Sequence, residues 1–475
     1  MKIYSRIQCI ALALVLAGTA AVFSETEYST ETRGVSGPAG QDDIAETKEV
    51  IVSTETLKEP VIIRGRGRVS LVKANGTWQL LVDKQTYIVK GVEYAADPVG
   101  RPSGESNMWM NDDFNGNGKC DGPYDSWIDS NGDNYQDLDE KPAGDFMLLK
   151  RMGCNTIRLY HPSNINAEIL NDLYGNYGIM TIMGNLLGAY TVDTGAGWEK
   201  GTDYNDPAQR EKMKKSVEEM VLRYKDEPFV LMWILGNEND AAGSYDNSTF
   251  NNTNAGKCPE AYARFVGEVA RMIKRLDPEH PVGTCVAYYK LLPYFAKYAP
   301  EIDVIGMNAY TGPFGFGTLW GRVSNAFDRP VLITEYGADS YNQANQAVDE
   351  DFQALYHARS WQDIVDNSYA GHKNGNAIGG VAFCWMDKWW LCGSPLVHDA
   401  ELGAWPGPSN DGKYNDEWIG ICGQGDGSKS PFIRRPKKVY FTYKNELWNK
   451  SLEQIEESNK GYRKNAGDGL KPQSK

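Results

Sequence analysis

Val230-Leu-Met-Trp-Ile-Leu-Gly-Asn-Glu-Asn-Asp240 is an apolar run that stops on a glycine and drops at once into an acid. Six consecutive apolar residues with no polar alternation suit a strand covered on both faces, as in a parallel sheet. Val331-Leu-Ile-Thr-Glu-Tyr-Gly-Ala-Asp339 repeats the design, with Glu335 directly behind the apolar stretch. Working outward, similar runs fall at Gly91–Tyr94, Asn155–Tyr160, Ile179–Met183, Val282–Ala287, Val304–Met307 and Gly380–Trp385. Helical patterns lie between them, clearest at Pro207–Tyr224, Pro259–Leu276 and Val348–Asn367, and Pro436–Leu447 closes the series. Short apolar runs alternating with helices predict an α/β fold, and eight such units make a (β/α)8 TIM barrel. A doubly wound open sheet would carry a glycine-rich phosphate loop after its first strand, and Gly91-Val-Glu-Tyr94 does not lead into one. A hairpin-like opening, Trp78–Val82 with Thr86–Val89, precedes the first unit.

The composition agrees with one large domain. The chain has 475 residues, 41% of them hydrophobic, which is enough for a core of that size. Its 49 Lys+Arg against 63 Asp+Glu give a formal charge of −14, which disfavours nucleic acid as a partner. Aromatics reach 11%, a supply of flat apolar faces of the kind that sugar clefts use. Lys2 and Arg6 before the apolar run Ile10–Leu16 read as a signal peptide, residues 1–24, cleaved after Ser24. The expectation is a secreted or periplasmic protein with no membrane contact after cleavage. Residues 25–60 read as a disordered lead-in, 61–452 as the barrel domain, and 453–475 as a polar tail. Seven of the 8 Cys follow the signal peptide, so at least one thiol is free. Cys154, Cys285 and Cys384 sit in apolar runs as small hydrophobes, while Cys392 and Cys422 lie in loops and are candidates for pairing. With no CxxC spacing and 5 His, neither zinc nor thiol redox chemistry is expected.

An acid placed directly after a buried strand costs desolvation unless it is paired or working. In a barrel, catalysis sits on the loops that follow the strands. Glu238 and Glu335 are therefore the candidate catalytic pair, on the fourth and seventh strands. Gly236-Asn237-Glu238 and Ile333-Thr-Glu-Tyr-Gly337 resemble the acid/base and nucleophile signatures of clan A glycoside hydrolases. The wording is most similar to the barrel domain of glycoside hydrolase family 2. Family 5 and the fungal β-1,3-glucanosyltransferases are less close. The resemblance covers roughly residues 80–450. The chain departs from family 2 in two respects. About 65 residues separate Glu25 from the first strand, too few for the jelly-roll and sandwich modules usual there. Gly91-Val-Glu-Tyr94 also lacks the usual histidine, so substrate preference is not carried over.

The resemblance implies a retaining β-glycosidase that works by double displacement on a β-linked oligo- or polysaccharide. Glu335 would be the nucleophile and Glu238 the acid/base, about 5–5.5 Å apart. It further implies that Arg158 orients Glu335, Asn237 binds the sugar 2-OH, Tyr310 donates to the nucleophile, and Trp385 floors the reacting subsite. Trp389, Trp390, Trp405 and Trp418 on the eighth loop are candidate outer sugar platforms. A transglycosylase using the same intermediate, and a non-catalytic carbohydrate-binding barrel, stand as alternatives. No organic cofactor is expected, and the sequence is silent on oligomeric state.

The remaining motif is a calcium-type segment. Asp129, Asn131, Asp133, Asp137 and Glu140 stand at positions 1, 3, 5, 9 and 12 of an EF-hand-like loop, with Asn134 where glycine is usual. Upstream, Asp113, Asn115, Asn117 and Asp121 repeat the opening, but Tyr124 occupies the twelfth position unless Asp125 substitutes. A structural calcium that orders a rim loop is the expectation.

Overall fold

The structure is a computed structural model. It describes residues 62–451 and 454, apart from residues 66, 103–106, 242–250, 372, 403 and 408. The signal peptide, the lead-in and nearly all of the polar tail lie outside the described residues.

Eight parallel strands close into a barrel. They are β1 (Val89–Glu93), β2 (Thr156–Leu159), β3 (Met180–Asn185), β4 (Val230–Leu235), β5 (Val282–Val286), β6 (Val304–Asn308), β7 (Val331–Tyr336) and β8 (Ala377–Ala382). Every residue of β4 and β7 is buried, as their unbroken apolar runs require. The surrounding helices are α1 (Asp145–Met152), α2 (Ala167–Tyr177), α3 (Pro207–Tyr224), α4 (Pro259–Leu276), α5 (Leu292–Tyr298), α6 (Leu319–Ala326), α7 (Glu350–Asn367) and α8 (Lys438–Thr442). Helix α3 starts where its sequence says it should: Pro207 needs no N–H partner, and the Asp206 carboxylate accepts from Ala208 and Gln209. Among the described residues no helix is long and apolar enough to cross a membrane.

Three boundaries differ from the sequence expectation. The opening hairpin is part of a four-stranded antiparallel sheet, Ile62–Arg64, Val69–Ala74, Thr77–Val82 and Gln85–Thr86. Asn75 and Gly76, both at positive φ, form its tight turn. Val69, Leu71, Trp78 and Leu80 of that sheet pack with Met180, Ile182, Leu231 and Leu332, plugging the barrel interior. The eighth strand stops at Ala382 rather than Trp385, and the Trp385 ring beyond it packs against Tyr440 of α8. The last helix is broken into α8 and a π turn, Tyr443–Leu447. Cys422 is a buried free thiol, so the Cys392–Cys422 pairing is not formed, and Cys154, Cys285 and Cys384 are buried free thiols as expected.

The segment between β1 and α1 is tied to the C-terminal region. Trp127–Ile128 pairs in parallel with Ile433–Pro436. Arg434 donates to both oxygens of Asp145 at 2.6 and 2.7 Å, with Tyr94 and Ser126 completing the carboxylate's partners. A fully buried ion pair holds only when its remaining hydrogen bonds are also satisfied, and here they are.

Candidate active site

Glu335 is the fifth residue of β7 and 4% exposed. Three donors converge on its carboxylate. Arg158 Nη1 at 3.0 Å and the Tyr160 hydroxyl at 2.7 Å reach Oε1, and the Tyr310 hydroxyl reaches Oε2 at 2.8 Å. Arg158, 1% exposed, also donates to the Thr334 carbonyl and to Asn237 Oδ1, both at 2.8 Å. One guanidinium therefore joins the ends of β2, β4 and β7. A register shift at Met307/Asn308 sets Asn308 opposite Glu335 in the sheet, and such shifts re-aim side chains near functional sites.

Glu238 sits on the turn after β4 at φ 52, in left-handed backbone that non-glycine residues rarely adopt. Its neighbours enforce that turn. Asn239 Oδ1 accepts from the Asn237 N–H at 2.8 Å, while its Nδ2 donates to the Leu186 and Leu187 carbonyls and to Tyr204. Asn251 Nδ2 donates to the carbonyls of Asn237 and Glu238. Asp240 accepts from the N–H groups of Ala287 and Tyr288, beyond β5. At Gly236 an added Cβ would meet Asn239 Oδ1 at 2.5 Å and the Tyr262 hydroxyl at 2.6 Å, so only glycine fits.

Burial first, and then the charge of Glu335, push the Glu238 carboxyl up to about 8. Asn308 Nδ2 opposes this weakly by donating to Glu238 Oε1 at 3.0 Å. The Asn308 amide cannot flip without cost, because Thr334 Oγ1 donates to its Oδ1 at 2.8 Å and Cys285 Sγ lies at 3.1 Å. Tyr190, half-buried and reached by the charges of both glutamates, shares a hydrogen bond with Asn237. One carboxyl favoured in its neutral form beside another ringed by donors is an acid beside an acceptor, the division of labour that glycoside chemistry needs.

Glu238, Glu335, Arg158, Asn237 and Tyr310 are thus brought together. Trp385 is not brought to the carboxylates. It is fully buried, and its ring packs against Tyr440 of α8. Phe383, directly after β8, is the aromatic beside the site, with its ring edge-on to Tyr310 at 6.5 Å. Trp418 is covered on both sides, by His398 at 3.6 Å and Tyr341 at 4.9 Å, and Trp389 stacks on the same histidine. Neither presents the free face that an outer platform needs. Trp390 is partly exposed and carries Lys388 over its ring. The side chain of Trp405 lies outside the described residues. Tyr160, Asn308, Cys285 and Tyr190 are the members of the site that the sequence reading did not single out.

The calcium-type segment folds as two loops wrapped around their own acids. Asp113 accepts from the N–H groups of Asn117 and Gly118, and Asp121 accepts from that of Phe114. Asn115 and Asn117 both donate to Asp125. In the second loop Asp129 accepts from Gly132, Asp133 and Asn134, and Asn134 has φ 64. Asn131 Nδ2 bridges Asp133 and Asp137, Glu140 accepts from Ser130 and Asp137, and Arg435 pairs with Asp129 at 2.7 Å. Among the described residues no three His, Cys, Asp or Glu side chains converge as a ready metal cluster.

Residues 138–375 match the model of the family described as "Glycosyl hydrolases family 2, TIM barrel domain". The chain belongs to that family. It is 24% identical over 239 residues to a β-glucuronidase of Streptococcus agalactiae serotype V, covering 46% of this chain and 36% of that protein. It is 31% identical over 113 residues to the Aspergillus terreus protein described as "Probable mannan endo-1,4-beta-mannosidase C", covering 24% of this chain and 26% of that one. The chain thus spans about a third or less of the length of these curated relatives. Among solved structures it is similar to the β-D-glucuronidase of Dictyoglomus thermophilum, with a TM-score of 0.48 and 16% identity over 83% of this chain and 55% of that one.

Proposed function

We propose that this chain is a retaining β-glycoside hydrolase in which Glu335 attacks the anomeric carbon and Glu238 protonates the leaving oxygen. The observation that carries this reading is the asymmetry between the two carboxyls. Arg158, Tyr160 and Tyr310 surround Glu335 with donors, while burial keeps Glu238 protonated up to about pH 8. In the second half-reaction Glu238, now ionised, takes the proton of the incoming water, and the Glu335 ester breaks. A sugar hydroxyl in place of that water gives transglycosylation by the same steps. The relatives' names agree on β-glycosides and differ on the sugar. An inactive carbohydrate-binding barrel would have no need of the enforced turn at Glu238. The test is mechanism-based: a 2-deoxy-2-fluoroglycosyl fluoride is expected to arrest the protein with one sugar on the peptide that contains Glu335. Labelling elsewhere, or none with any sugar, would remove the nucleophile assignment.

Export by the segment 1–24 and calcium on the loops Asp113–Asp125 and Asp129–Glu140 belong to the same reading. Calcium rests on ligand spacing. The ion would replace the Asn131 amide between Asp133 and Asp137, and it would offset clustered like charge. Chelator is expected to lower the Tm of the full chain, because an ion bound only to the folded state stabilises it by mass action. Asp133→Ala with Asp137→Ala should abolish that shift. A melting curve unmoved by prolonged chelation, with no calcium found by elemental analysis, would end the proposal.

A further inference from the structure

On the glycosidase reading above, we propose that the reacting subsite selects an uncharged glycosyl unit over a uronosyl one. The proposal further makes the buried pair Glu93–Lys388 the specificity element, binding sugar hydroxyls as acceptor and donor. Glu93 ends β1, opposite Arg158 in the barrel register. Lys388 comes from the loop after β8 and meets both Glu93 oxygens, at 3.2 and 3.1 Å. Its ammonium lies 5.2 Å from the centre of the Phe383 ring, and Phe383 in turn abuts Tyr310 on the nucleophile. Glu93 is also among the charges that act on Tyr160, the other hydroxyl on Glu335. The pair is therefore one side chain removed from Glu335 on two sides. At 4% and 8% exposure the two groups are nine-tenths buried, and Glu93 Oε2 has no hydrogen-bond partner beyond the ion pair.

The charge arrangement decides which sugar fits. Among the described residues, four cations with largely buried side chains at this end of the barrel are paired with acids: Arg158 with Glu335, Lys388 with Glu93, Lys437 with Asp387 at 2.6 Å, and Arg101 with Asp112. Lys437 is saturated further by Ser340 and the Trp418 carbonyl. Asp240 adds a buried acid and the half-buried Asp97 another, while Lys290, the cation whose charge reaches Asp240, is itself exposed. A uronate would bring another carboxylate into this surrounding, where an uncompensated buried charge is costly. The hydroxyls of a neutral sugar are suited to it, since they donate to Glu93 and accept from Lys388, and charge-assisted hydrogen bonds are the strong ones.

The test compares aryl β-glucoside, β-galactoside and β-mannoside with aryl β-glucuronide and β-galacturonide on the full chain. The best neutral substrate should exceed both uronides by roughly 100-fold or more in kcat/KM, as expected where buried polar groups would be left mispaired. Labelling of Glu335 by 2-fluoro neutral and uronic fluorides should show the same order. Glu93→Gln leaves the Lys388 charge unpaired, so it should lower neutral turnover and raise the uronide-to-neutral ratio about tenfold. A uronide preferred by the unmodified protein overturns the substrate class. A ratio unchanged in Glu93→Gln overturns the role given to the pair, leaving it a brace in the wall. Labelling of Glu335 by neither class would instead sink the glycosidase reading, and this proposal with it.

Discussion

Glu335→Ala is expected to lose on the order of 10⁴-fold or more of kcat/KM on aryl β-glycosides, the scale at which a nucleophile and its partners act as a unit. Part of that loss should return with azide or formate. The substitution leaves a hole still faced by Arg158 Nη1 and the hydroxyls of Tyr160 and Tyr310, three donors that had served a carboxylate. A small anion placed there attacks the anomeric carbon from the side Glu335 used, and no second displacement follows. The azide adduct should therefore have inverted configuration, read by NMR of the product. Rescue with retained configuration would mean that the substitution had removed the acid/base instead, and the roles would have to be exchanged.

Glu238→Gln should divide substrates by their leaving groups. General acid catalysis contributes roughly 10²–10⁴-fold, and phenols that leave unaided need little of it. Activated aryl glycosides should then keep their first step and show a burst, while natural glycans fail. The second step slows too, because the same side chain activates the incoming water, so glycosyl-enzyme accumulates on Glu335 and azide releases it with retention. The pH profile carries an independent sign. Glu238 titrates near 8, so the rate of the unmodified enzyme should fall as pH rises through that value and the acid is lost. That limb should vanish in the glutamine variant. Equal slowing of all leaving groups without a burst would refute the assignment. The other strand-end acids, Glu93 and Asp387, are poor replacements because lysines already hold them.

The barrel and its two glutamates were legible for one physical reason. A parallel strand buried on both faces must be apolar throughout, so a carboxyl at its end stands out. The same property hid the end of β8. Trp385 and Met386 keep the run apolar because one packs against α8 and the other bridges to Cys422, and hydropathy reports burial without saying in which layer. Trp385 was misplaced in consequence. Tyr160 and Asn308 were within reach of the sequence. They lie two positions from Arg158 and Tyr310, at the strand ends where alternation returns every second side chain to one side. Asn75-Gly76 was an equally readable hairpin signal. Glu93–Lys388 was not, since its halves are separated by 295 positions and meet only when β8 closes on β1. The stacking of His398 between Trp389 and Trp418 forms within the folded eighth loop, which has no period to read, and it turns two candidate platforms into internal scaffolding.

The left-handed backbone at Glu238 bears on how such a barrel persists over generations. A glutamate held there costs about 1 kcal/mol that glycine would avoid and asparagine would reduce. Chance substitution at this codon is thus under a standing pull toward residues that relax the turn and cannot move a proton. On the glycosidase reading proposed above, repeated benefit to the bearer from sugar turnover opposes that pull. A lineage released from that need would be expected to shed this side chain early while keeping the barrel around it intact.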